Sequence, residues 1–202
     1  MHQAMGTGTD IDEPELVRRW AEGDRDAGEA LIRRHFDVVF RFFSGRVVGA
    51  VEDLVQQTFL ACLERRERLA EVASFRAWLL GVARHKLYAH FDGCARDAAP
   101  FDPQRTTMHA LLGATTAGVG RSLERRLLVE ALARLPVQTQ LLLELHYWEE
   151  LSSAELAEVF DANAATIRSR LVAARDRLRE ELERSDYARA AAALAALERR
   201  DE

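Results

Sequence analysis

At 202 residues, 48% hydrophobic and 30% charged with only 4 prolines, the chain suits one large or two small folded, mostly helical domains. No apolar run is long enough to span a membrane and the polar N-terminus lacks a signal-peptide core, so a cytoplasmic protein without membrane insertion is expected. A net charge of −5 argues against a surface that is basic all over, but not against DNA binding by one basic face.

Residues 1–11 are Gly/Thr-rich and aperiodic, which reads as a mobile end. Asp12 before Pro14 signals a helix start, with Leu16, Val17 and Trp20 on its apolar face. Gly23-Asp24 ends that helix and caps the next, an amphipathic segment from Ala27 to Phe43. Its stripe of Ala30, Leu31, Phe36, Val39, Phe40 and Phe43 reads as core. Glu52 to Glu67 is a third helix, burying Leu54, Val55, Phe59, Cys62 and Leu63 and lining another face with Asp53, Gln56, Gln57 and Glu64. Arg68 to Ala73 is a short connection, and Ser74 caps a fourth helix from Phe75 that buries Trp78, Leu79, Val82 and Ala83. The other side of that helix presents Arg76, Arg84, His85, Lys86 and His90. Basic residues interleaved with aromatics suit single-stranded DNA, since bases stack while cations hold phosphate.

From Gly93 to Ser122 the periodicity fades among Pro and Gly, as in a flexible linker, with a helical turn at Met108 to Leu112 as its one candidate element. Helical pattern resumes from Leu123 to Leu135, stops at Pro136, and returns from Gln138 to Trp148. Ser152 with Glu155 is a capping-box signature, after which Leu156, Val159 and Phe160 share a face. Asp161-Ala162-Asn163 is a polar break, with Asn163 placed to cap the following helix. That helix turns Ile167, Leu171 and Ala174 inward and Thr166, Arg168, Ser169 and Arg170 outward. Two helices, a tight turn and a basic opening to the second make a helix-turn-helix, whose Arg and Ser/Thr side chains reach phosphates and base edges. Residues 185–202 form an Ala-rich helical tail with Tyr187, Leu194 and Leu197 on a narrow stripe. The fold class expected is all-α, two small helical domains joined by a flexible linker.

Two separated blocks resemble one family. Glu52-Asp-Leu-Val-Gln-Gln-Thr-Phe59 with Ser74-Phe-Arg-Ala-Trp-Leu-Leu-Gly-Val-Ala-Arg84 is similar to region 2 of extracytoplasmic-function (ECF) sigma factors of the sigma-70 family. Ala133-Arg-Leu-Pro136, Leu151-Ser-Ser-Ala-Glu-Leu-Ala157 and Ala165-Thr-Ile-Arg-Ser-Arg-Leu-Val-Ala-Ala-Arg175 resemble region 4. The resemblance implies a region 2 domain at 12–94, a linker at 95–122 and a region 4 domain at 123–184. It further implies a promoter-specificity subunit of bacterial RNA polymerase, with Asp53, Gln56 and Gln57 on core polymerase. Arg68, Leu69, Val72, Arg76, Arg84, His85 and Lys86 would hold the unpaired −10 strand of promoter DNA. Thr166, Arg168, Ser169 and Arg170 would read the −35 element, and Arg175 and Arg177 would be either phosphate contacts or simple solvated charges. An anti-sigma factor is the expected regulatory partner.

The alternative is a stand-alone helix-turn-helix regulator, which accounts for residues 123–184 but leaves the block at 52–90 without a purpose. An enzyme is not expected. His85 and His90 are five apart rather than the four that stack metal ligands on a helix, and neither a phosphate loop nor a nucleophile motif is present. Neither cofactor nor metal is expected, and Cys62 and Cys94 read as idle thiols. His35, His109 and His146 read as core or surface histidines, and Trp20, Trp78 and Trp148 as core anchors.

Overall fold

The computed structural model describes residues 12–94, 101–112 and 123–198, with side chains at all of these except 70, 71, 109, 112, 123–126 and 186–198. Helices dominate in the order α1 (Glu13–Ala21), α2 (Arg25–Phe43), α3 (Val51–Glu64), α4 (Phe75–Cys94), α5 (Met108–Leu112), α6 (Leu123–Arg134), α7 (Val137–Tyr147), α8 (Ser153–Val159) and α9 (Ala164–Glu198). No strand occurs among the described residues; isolated bridges join Ser44 to Val47 and Thr107 to Pro136. Two compact units divide the chain between Lys86 and Leu87, within α4.

In the first unit, Gly23 adopts φ +103, a left-handed turn that glycine enters without a Cβ penalty. Asp24 then caps α2, its Oδ1 accepting from the Asp26 and Ala27 amides (3.0 and 3.2 Å). Leu16, Val17 and Trp20 of α1 are buried, as are Leu31, Val39 and Phe43 of α2 and Leu54, Val55 and Cys62 of α3. Phe75 opens α4 edge-on to both Trp20 and His35, fixing three helices in one aromatic cluster. His35 is buried, and its Nε2 lies 2.9 Å from Glu13 Oε2.

Several expected core residues lie outside it. Phe36 and Phe40 are exposed and stack on each other, and Leu63 is 47% exposed. In the second unit Trp148 is 55% exposed, beside an equally open Tyr147. Periodicity marks which residues share a face; whether another element covers that face is decided by packing alone. Trp20 is the anchor expected, and Trp78 is half-buried.

The second unit gathers α6 to α9 around Leu141, Leu143, Leu151, Leu156 and Ile167, all fully or nearly fully buried. Of the expected linker, the stretch 101–112 is structured. Phe101 packs on Tyr88 and Phe91 (5.4 and 5.1 Å between centroids). The Val137 and Gln138 amides, which open α7 where Pro136 offers no side-chain cap, donate to the carbonyls of Thr106 and Pro103 (2.9 Å each). The loop thus supplies acceptors for donors every helix start leaves open. Helix α5 forms where the sequence suggests. The tail continues α9 as helix to Glu198; the Tyr187, Leu194 and Leu197 stripe and the His109 ring lie outside the described side chains.

Candidate nucleic-acid and polymerase interfaces

Helices α8 and α9 form the helix-turn-helix. Ser152 Oγ accepts from the Glu155 amide (3.2 Å) while Glu155 Oε2 accepts from the Ser152 amide (2.9 Å), a complete capping box. The turn bends at Asp161, φ +49, a left-handed position that a short polar side chain tolerates. Asn163 Oδ1 then accepts from the Thr166 amide (2.7 Å) and starts α9. Ile167, Leu171 and Ala174 are buried, which fixes the helix's rotation. Arg168, Ser169 and Arg170 are consequently exposed, with Thr166 half-buried beside them.

Neither Arg168 nor Arg170 forms an ion pair among the described residues, so two unneutralised guanidiniums open the helix. Arg175 is exposed, with Nε donating to the Leu171 carbonyl (3.3 Å). On α8, burial holds the Glu158 carboxyl above its ordinary range, and the neighbouring Glu155 charge adds to this.

The second group of candidates runs from the end of α3 into α4. A 3-10 turn at Arg66–Glu71 replaces an irregular connection and exposes Arg68, with Val72 half-buried just after it. Leu69 is fully buried, so its side chain packs under the turn and offers nothing to DNA. Ser74 caps α4 as expected, its Oγ accepting from the Ala77 amide (3.2 Å). On α4, His85 is exposed and Arg76 and Lys86 are half-buried, but Arg84 is withdrawn to 7% exposure and donates from Nη2 to His85 Nε2 (3.1 Å). Leu69 and Arg84 therefore leave the set of expected DNA contacts. Arg84 lies on the buried side of α4 with Leu80 and Leu87, four before it and three after.

On α3, Asp53 and Gln56 are exposed and Gln57 is half-buried, with Gln57 Nε2 donating to Asp53 Oδ2 (2.7 Å). Beside this row lies an apolar surface made in part of residues expected in the core. Leu60 and Leu63 are exposed, Phe36 stacks against Phe59, and Gln56 shares a cleft with Ile32, Leu60 and Leu63. A signal was present: α3 carries more apolar residues than one buried face accommodates. A contiguous exposed apolar patch of this kind marks an interaction surface.

Among the described residues no group of three or more His, Cys, Asp or Glu side chains is arranged to hold a metal, and no helix is long and apolar enough to cross a membrane. Cys62 is buried, and desolvation raises its thiol pKa to about 12, which keeps it protonated and unreactive.

Comparison with known proteins finds two family matches along the chain. Residues 31–96 match the family described as Sigma-70 region 2, and residues 125–178 the family described as Sigma-70, region 4. The ECF RNA polymerase sigma factor BldN of Streptomyces coelicolor is 30% identical over 158 residues, covering 77% of this chain and 60% of that protein. The ECF RNA polymerase sigma factor SigC of Mycobacterium tuberculosis is 33% identical over 178 residues, covering 82% of this chain and 89% of SigC. The fold is shared with CnrH, solved in complex with the cytosolic domain of CnrY (TM-score 0.60, 23% identity, 85% of this chain and 97% of that one). It is shared also with Bartonella quintana RpoE, solved with the anti-sigma factor NepR (TM-score 0.59, 21% identity, 77% and 96%). With both sigma-70 regions present in order, and SigC matched along 89% of its length, the chain belongs to the ECF sigma factors, promoter-specificity subunits of RNA polymerase.

Proposed function

We propose that the opening of α9 reads the −35 element in the major groove, with Arg168 and Ser169 at base edges and Thr166, Arg170 and Arg175 at phosphates. The observation that carries this is the pair of unneutralised guanidiniums held outward by the buried Ile167, Leu171 and Ala174 face. Region 2 takes the melted −10 strand against Arg68, Val72, Arg76, His85 and Lys86. Extruding a base costs a few kcal/mol, which stacking and phosphate contacts there offset. Asp53, Gln56 and Gln57, with the adjoining Leu60, Leu63 and Phe36, dock on core polymerase. That assignment gives a reason for keeping apolar side chains in water.

The chain on this reading supplies specificity and performs no chemistry of its own, and it acts in the cytoplasm. An anti-sigma factor is its regulatory partner, by analogy with the RpoE–NepR complex that shares its fold. The test is transcription in vitro from a genomic promoter library by core RNA polymerase, with and without the protein. Start sites that need the protein and share two spaced upstream motifs are expected. If no new start appears while the protein alone shifts duplex DNA, the chain acts as a stand-alone regulator.

A further inference from the structure

A cleft of about 220 Å³ lies beside the opening of α9. Gln104 comes to it from the turn at 102–106, Gln138 and Thr139 from the start of α7, and Arg170, Ala173 and Arg177 from one flank of α9. The turn is held by its backbone bonds to α7 and closed on itself, with Asp102 Oδ1 accepting from the Gln104 amide (2.9 Å) and Asp102 O from the Thr106 amide (2.7 Å). Gln104 therefore projects from a fixed frame, although it belongs to the connection between the two sigma regions.

Among the described residues, the side chains of Gln104, Gln138 and Thr139 form no hydrogen bond, and Arg170 and Arg177 form no ion pair. No acidic side chain lines the cleft, in a chain where Asp and Glu outnumber Lys and Arg by 33 to 28. Donors and cations thus converge on a space that no side chain among the described residues satisfies.

Geometry says what lies opposite. At about 100° per residue, Arg170, Ala173 and Arg177 share the flank of α9 next to its buried stripe. A helix about 10–12 Å across fills a major groove about 12 Å wide, so its outer ridge meets base edges and its flanks meet the phosphate walls. The short side chain of Ala173 leaves the cleft open toward that wall. We propose that this cleft takes a backbone phosphate of the −35 duplex, with Gln104, Gln138 and Thr139 donating hydrogen bonds and Arg170 and Arg177 supplying charge. The segment 101–112 is then part of the −35 reading unit and not only a tether. The proposal rests on α9 entering the major groove.

The experiment uses holoenzyme made from core polymerase and the full chain, on the strongest promoter the library returns. Gln104→Glu and Gln138→Glu place a carboxylate against the phosphate and are expected to weaken promoter binding roughly tenfold each, with unfolding temperature kept. Gln138→Glu is a favourable exchange at a helix start, so its loss of affinity cannot be a loss of fold. Gln104→Arg adds a cation and steepens the dependence of log affinity on log salt by about 0.9. Single methylphosphonates scanned along the −35 backbone should find one position that costs the wild type several-fold and the Gln104→Glu holoenzyme nothing further.

Wild-type affinity in both Glu variants, or no such backbone position, overturns the proposal while Arg168→Ala and Ser169→Ala still change the preferred −35 sequence. If those two substitutions change nothing either, α9 does not read DNA and the proposal fails with that reading.

Discussion

Gly28 lies where α2 passes Trp20. A Cβ there would sit 2.4 Å from the indole Nε1 and 2.6 Å from Cδ1, and Trp20 is itself buried against Phe75. Exchanging a glycine inside a helix for alanine ordinarily gains up to about 1 kcal/mol of helix propensity, even where, as at Gly28, the residue closes the first turn. Overpacking a rigid ring costs about 1–3 kcal/mol, so the steric effect wins. Gly28→Ala should lower the stability of region 2, read as a reduced denaturant midpoint. A variant at or above wild-type stability would mean that the indole swings aside freely. Glu13 and His35 join α1 to α2 with a second, pH-dependent tie. The hydrogen bond from His35 holds the Glu13 carboxyl below its ordinary 4.5, outweighing burial, which pushes the other way; Arg34 and Arg76 add smaller attractions. A carboxyl depressed in the folded state contributes fully above its unfolded value and loses that contribution as pH falls through the folded one. Glu13→Gln should therefore be less stable near neutral pH and show a flatter loss of stability below about pH 4.5. Urea midpoints from pH 3 to 7 check this, and parallel curves for the two proteins would count against the tie.

At the scale of the element, the two caps of the helix-turn-helix separate stability from recognition. Ser152→Ala removes the cap on α8 and Asn163→Ala the cap on α9, each at about 1 kcal/mol of region 4 stability. Only Asn163 holds the turn that carries Thr166 and precedes Arg168. Asn163→Ala should thus weaken −35 binding several-fold more than Ser152→Ala at equal loss of stability, measured by denaturation and promoter affinity on the same preparations. Helix starts such as these were legible in the sequence because they are local: Asp24, Ser74, Ser152 and Asn163 each serve amides two or three residues away. Burial was less legible. Phe36, Phe40, Leu63 and Trp148 share the apolar character of core residues but stay substantially open to water, whereas Leu69 and Arg84 occupy positions a family resemblance gives to DNA and are covered by their own unit. The ordered turn at 102–106 left no periodic trace, because backbone carbonyls hold it and any residue supplies a carbonyl.

For the molecule as a whole, the decisive quantity is the mismatch between a net charge of −5 and a polyanionic ligand. Beyond the Debye length of about 8 Å the chain presents little net attraction to a duplex, and the Arg168, Arg170, Arg175 and Arg177 group acts only on phosphates already close to it. The protein alone should therefore bind its promoter little better than non-specific DNA, with a Kd in the range of about 10⁻⁴ to 10⁻⁶ M. Core polymerase changes this by holding regions 2 and 4 on one assembly, so that engagement of one DNA element raises the effective concentration of the other. Linkage of this kind strengthens binding by roughly a hundredfold or more without any new contact. Titrating labelled promoter with the protein, with and without core, should show that gain. Arg170→Ala or Arg175→Ala should each shallow the salt dependence of the complex by about 0.9, whereas Arg168→Ala should change the preferred −35 sequence. Asp53→Lys should abolish the gain while leaving the weak binding of the free chain intact, because it alters the polymerase face and not the cations on α9. Tight binding by the free chain, unchanged by core, would place the specificity in region 4 alone and leave the apolar face of α2 and α3 to another partner.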